Sequence, residues 1–284
     1  MKPLTSLVDR LERLSGLDRV AQPIADRVSA LFQRAQLKDV LSGSWFGHPL
    51  HPLLTDLPIG SWTSAMLLDL VGGRRAQPAA DVLVAVGIAA AVPTAVTGLS
   101  DWSDLGTEDR RIGLVHAAAN SVAVSFYVAS FVARRRGRRT SGVLLGLAGA
   151  SAATAGGFLG GHLVYRRGAG VDHTVFDVGP EEWTPVEVAD VPAEGAMAIV
   201  SAGGVDVMLT RRHGSLCGLA DRCSHQGGPL HEGELLEGRV RCPWHSSEFM
   251  LDDGSVTRGP ATAPQPVYEA RADSGPVQVR RRGQ

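Results

Sequence analysis

Three stretches without Asp, Glu, Lys or Arg constrain this chain more than anything else in it. Val82–Leu99 runs for 18 residues, Ile112–Ala133 for 22 and Gly142–Tyr165 for 24. At a rise of 1.5 Å per residue, about 20 apolar residues cross a hydrocarbon layer of roughly 30 Å. A soluble helix of that length would show a polar face every third or fourth residue. Leu144–Val164 offers only Ser, Thr and His162 as polar groups, and its many Gly and Ala residues suit close packing between helices in lipid. A fourth, weaker span runs from about Pro52 to Gly73, with Asp56 and Asp69 near its ends. The mean hydropathy of +0.04 and the net charge of −1 conceal this block, because the rest of the chain is polar. That charge balance also argues against nucleic acid as a partner. The partner implied here is membrane lipid.

The remaining sequence divides around the block. Residues 1–47 carry apolar residues on one helical face (Leu4, Leu7, Val8, Leu11, Leu14, then Ile24, Val28, Leu31, Phe32), as surface amphipathic helices do. No basic segment followed by an apolar stretch and a cleavage site opens the chain, so no signal peptide is expected. Residues 48–165 are expected to be a four-helix transmembrane domain, 166–181 a hinge, and 182–284 a β domain. Within the last, short β-type runs such as Trp183–Val188, Val205–Leu209 and Val267–Ala270 alternate with Gly, Asp and Pro. Four spans put both chain ends on one side of the membrane. Seven arginines then flank the far side against five basic residues on the near side, which leaves the orientation open. A bacterial cytoplasmic membrane is expected, with the side of the β domain undecided.

Two residue groups carry chemistry. The first is Cys223-Ser224-His225 followed, after 16 residues, by Cys242-Pro243-Trp244-His245. Two thiolates and two imidazoles on paired loops supply what a [2Fe–2S] centre with mixed ligands needs, two Cys for one iron and two His for the other. A zinc site is the rival, but zinc fingers place like ligands together, whereas here Cys and His alternate. The second group is His51, His116 and His162, which alternating helices bring to one membrane face. Imidazoles at membrane depth are a functional hypothesis by default, with haem b or another metal as the candidate. Hydrogen bonding across helices is the plainer use.

The surrounding sequence adds two resemblances. CSHQGGPL and CPWHSSEFMLDDGSVTRGPATAPQPVYEARADSGPVQV closely resemble the Rieske ferredoxin family over about residues 182–281. The resemblance implies Cys223, His225, Cys242 and His245 as cluster ligands and Gly259-Pro260 as a loop covering the cluster. In the family's high-potential branch an extra Cys on each loop forms a disulfide. Gly228 and Trp244 stand there in this chain, so that clamp is absent. Ser247 matches a hydrogen-bonding Ser of that branch, while Phe249 replaces its Tyr donor. A low to intermediate potential is therefore expected. GHPLHPLLTDLPIG with the following helices resembles an uncharacterised bacterial membrane family known only as a domain of unknown function, over about residues 45–165. That resemblance names no chemistry.

The expected architecture is multi-domain, an α-helical four-span membrane bundle plus an all-β Rieske-type domain. The expected function is membrane-bound transfer of single electrons between an unidentified donor and acceptor, with haem or quinone at the membrane domain as one partner. The alternatives are a membrane-tethered redox sensor and a ferredoxin component feeding an oxygenase. Only 39 residues follow His245, too few for the mononuclear-iron domain of an oxygenase catalytic subunit.

Overall fold

A computed structural model describes residues 3–32, 34–187, 191–272 and 275–283. Val188 and the side chain of Leu4 lie outside the described residues. The chain forms two compact units: residues 1–33 with 50–169, and residues 34–49 with 170–284. The expected 1–47 segment thus contributes to both.

The first unit is helical. α1 (Pro3–Arg13) and α2 (Asp18–Phe32) precede α4 (Leu50–Val71), α5 (Gly73–Ser103), α6 (Thr107–Arg135) and α7 (Arg139–Arg167), while α3 (Ala35–Ser42) belongs to the second unit. α5, α6 and α7 are long and apolar enough to cross a membrane. α4 has 22 residues but carries Asp56, Asp69 and an internal Pro58. Glycines let the helices approach through rings. A Cβ at Gly87 of α5 would stand 2.2 Å from the Trp62 ring of α4, and one at Gly160 of α7 3.0 Å from His116 of α6. Trp62 and Tyr127 stack with centroids 4.0 Å apart, joining α4 to α6.

Each of these four helices also gives one charged side chain to a single network. Arg134 of α6 pairs with Asp69 of α4 and Asp81 of α5, and Arg139 of α7 pairs with the same two carboxylates. The Arg134 and Asp69 side chains are only 1% and 3% exposed. Two cations against two anions leave the network neutral, which is the condition for burying charge at all. The sequence puts Asp69 near the end of its span and Arg134 and Arg139 beside the connection between two others; the structure adds that they pair there.

The second unit is built on a six-stranded antiparallel sheet in the order β1 (Thr184–Pro185), β10 (Gln278–Arg281), β9 (Val267–Arg271), β4 (Ser215–Ala220), β3 (Val205–Arg212), β2 (Met197–Ala202). A four-stranded meander follows the order β5 (Glu234–Leu236), β6 (Arg239–Arg241), β7 (Glu248–Met250), β8 (Val256–Arg258). One core packs Val200, Val207, Leu209, Tyr268 and Val279 on one face of the large sheet. The other joins Met208, Leu219, Leu230, Val240 and Phe249 to Cys223 and Cys242 between the sheets. The large sheet alternates its side chains between those two cores, as a period of two requires.

Candidate metal centre

Two short loops carry the four donors, and they are built alike. The first follows β4, and the second joins β6 to β7. In the first, the Cys223 N–H donates to the Gly228 carbonyl, and the Gly227 N–H donates back to the Cys223 carbonyl, both at 2.8 Å. In the second, the Cys242 N–H donates to Ser247 at 2.8 Å and the Ser246 N–H to Cys242 at 3.2 Å. The residue four after each Cys turns the chain with a positive φ, 75° at Gly227 and 62° at Ser246. Each Cys sulfur thereby faces two backbone N–H groups, those of residues 225 and 226 for Cys223 and of residues 244 and 245 for Cys242. Oriented amides of this kind favour the thiolate form that binds metal.

The structure brings the two loops together. The Cys223 thiol donates a hydrogen bond to Cys242, and that bond, helped by burial, pushes its own pKa up. The same bond is the first cause of a lowered Cys242 pKa, about 7. Both residues are buried and both are free thiols. The His225 and His245 rings meet edge to face with centroids 5.1 Å apart. Burial, followed by the neighbouring His245, holds His225 well below the usual imidazole range, so it is neutral as a metal ligand must be. Two soft sulfurs side by side and two neutral imidazoles side by side fit a [2Fe–2S] cluster with one iron per pair.

Gly228 and Trp244 are neighbours, as their loop positions imply. A Cβ at Gly228 would lie 2.9 Å from Cys242 Sγ and 3.0 Å from the Trp244 ring. Trp244 is 56% exposed and sits edge-on to His245. Ser247 is fully buried, and its Oγ accepts the Ala261 N–H at 3.0 Å, tying the second loop to the Gly259-Pro260 segment. Phe249 is buried in the core between the sheets.

Three side chains that sequence reading passed over hold this arrangement. Gln265 is buried; its Oε1 accepts the Ser224 N–H at 3.1 Å, and its amide donates to the Ala220 and Arg222 carbonyls at 2.7 and 2.5 Å. It fastens the first loop to the covering segment, and a lone Gln carries no sequence signal. Glu248 is buried and accepts from Arg239 and Arg241, closing the base of the second loop. Its place opposite Arg241 in the hairpin was readable as a cross-strand pair, with Arg239 its diagonal neighbour. Asp39 contacts the covering segment from outside the β strands. Gln265→Leu strands one buried donor and two acceptors. We expect it to lower the stability of the unit by about 3 kcal/mol, read as an earlier denaturant midpoint for loss of tertiary circular dichroism. An unchanged midpoint would show that Gln265 does not hold the loop.

His231 is not the exposed loop residue that its position suggests. Its Nδ1 and backbone N–H both donate to the Asp221 carboxylate at 2.8 Å, after the first loop. His213 is exposed in a turn. Cys217 is half-buried in β4, and burial raises its pKa. In the helical unit the three histidines each have a protein partner. Taking Nδ1 as the protonated nitrogen, His51 donates to the Thr94 carbonyl at 2.9 Å and His116 to the Gly156 carbonyl at 2.8 Å. His162 Nε2 lies 3.3 Å from Glu12 of α1. These contacts join α4 to α5, α6 to α7 and α7 to α1.

Comparison with known proteins agrees with this division. Residues 182–269 match the family described as "Rieske [2Fe-2S] domain", and residues 47–173 match "Predicted membrane protein (DUF2231)". The anthranilate 1,2-dioxygenase ferredoxin subunit of Burkholderia cepacia is 33% identical over 98 residues, which is 34% of this chain and 91% of that protein. Apoptosis-inducing factor 3 of Mus musculus is 32% identical over 99 residues, 35% of this chain, and the match spans only 16% of that protein. Among solved structures, the ferredoxin of carbazole 1,9a-dioxygenase from Nocardioides aromaticivorans IC177 aligns at 25% identity with a TM-score of 0.32, covering 34% of this chain and 96% of that one.

Proposed function

Since the chain belongs to the Rieske [2Fe–2S] family through its C-terminal part and carries a DUF2231 membrane domain beside it, we propose that it is a membrane-held one-electron carrier. The observation that supports this most directly is the meeting of the Cys223–Cys242 and His225–His245 pairs on two equivalent loops. We assign these four as the ligands. A [2Fe–2S] cluster, when bound, supplies single-electron transfer at potentials of about −150 to +300 mV.

The chain's own residues do the rest. Backbone amides of residues 225, 226, 244 and 245 stabilise the thiolates. Gln265, Ser247 and the 259–261 segment close the site to water. His245 with the exposed Trp244 offers the face at which a partner docks. With Gly228 and Phe249 in place of further donors, the potential belongs in the low to intermediate part of the range. The ferredoxin relatives belong to dioxygenase systems, so a reductase and an oxygenase are the partner classes we propose, working at a bacterial cytoplasmic membrane. The fourth span is α4.

EPR of dithionite-reduced membranes tests the reading. A rhombic Rieske signal is expected, and a silent spectrum with bound zinc overturns it. Rapid reoxidation by a partner separates a carrier from a redox sensor, which would hold its state. For the helical unit we also propose haem contact at His51: with the proton assigned to Nδ1, which meets the Thr94 carbonyl, Nε2 keeps its lone pair for a metal. For the haem version, a Soret band that disappears in His51→Ala is expected, and purified protein without any haem band removes it.

A further inference from the structure

Residues 34–49 precede the membrane helices in sequence, yet they fold with the β unit. α3 ends at Ser42, and its C-cap Gly43 takes the left-handed conformation, with φ 84°. That turn lays Ser42 and Ser44 against the segment covering the two ligand loops. The Asp39 carboxylate accepts the Gly259 N–H at 2.7 Å, a contact between residues 220 apart. A Cβ on residue 259 would stand 2.9 Å from Ser42 Oγ and 3.0 Å from Ser44 Oγ, so only glycine admits so close an approach. On the other side of the same segment, Ser247 holds the Ala261 N–H. Gly259, Pro260 and Ala261 are all buried.

The Rieske match begins at residue 182, so this helix is an addition to the family's framework. We propose that Asp39 is a positioning residue that clamps the 259–261 segment over the two ligand loops. This inference rests on the ligand assignment above. An ionised acceptor makes the Gly259 bond stronger than a neutral one. Removing it leaves a buried donor unmade, which opens the segment to water.

The test uses the full chain in detergent. Asp39→Ala is expected to speed exchange of the Gly259 amide about tenfold and to hasten loss of cluster absorbance under a chelator. Asp39→Asn keeps an acceptor oxygen without the charge and should bring both rates part of the way back toward wild type. Asp39→Ala with unchanged exchange and cluster loss overturns the clamp. Wild-type protein without a Rieske signal overturns the ligand assignment instead, and it is told apart because the amide exchange needs no cluster.

Discussion

Cys242→Ser is expected to abolish the rhombic EPR signal of reduced membranes while the protein still accumulates and folds. Cys242 is 3% exposed and receives the Cys223 thiol proton as a hydrogen bond. Two backbone N–H groups also face its sulfur. Serine fits the space, but its hydroxyl ionises far above the thiol, so it gives no soft anionic donor to an iron paired with Cys223. The packing cost is small by comparison, because the substitution deletes no carbon atom. Cys217→Ser is the matched control. Cys217 lies half-buried in β4 and donates only a long bond, 3.8 Å, to the Thr210 carbonyl. It should leave the signal intact. A Cys242→Ser protein with the full signal, or a Cys217→Ser protein without one, would refute the ligand assignment.

Arg134→Met should destabilise the helical unit by about 3 kcal/mol, the lower end of what breaking a buried ion pair costs. The lower end applies because Arg139 still holds Asp69 after the change. Arg134 also bonds Ser130 at 3.1 Å, and Ser130 in turn donates to the Gly142 carbonyl at 2.5 Å. One substitution therefore loosens contacts reaching α4, α5 and α7 at once. Removing both members, Arg134→Met with Asp69→Leu, should recover part of the loss, since an apolar pair costs less than an orphaned charge. Unfolding of the purified protein in mixed detergent would read the difference. Equal midpoints for wild type and Arg134→Met would show that the network is incidental.

The contrast between these two sites shows what a sequence displays. Cys223, His225, Cys242 and His245 are legible because each loop makes its own geometry over six residues, so spacing in the chain is spacing in space. The apolar blocks are legible because lipid imposes a length. Asp69, Asp81, Arg134 and Arg139 come from four different helices, and nothing in the local pattern of any one announces the others. Gln265 is 41 residues from the Ser224 amide that it holds, and Asp39 lies 220 from Gly259. A single polar residue at such a distance has no periodicity to read. Strand placement was readable where alternation was strong, as in β3. It was less so for the two-residue β1, which exists because β10 pairs with it.

The return of residues 34–49 to the β unit changes what a soluble preparation of the redox domain must contain. A fragment cut at residue 170 keeps every donor and every strand, and it matches the family in full. It would nevertheless arrive in water with the Gly259 N–H stripped of its carboxylate. A sixteen-residue peptide covering 34–49, added in trans or fused ahead of residue 170, is expected to restore that contact. Boundaries drawn from resemblance stop at the strands, whereas the compact unit includes a helix that precedes the apolar helices in the chain.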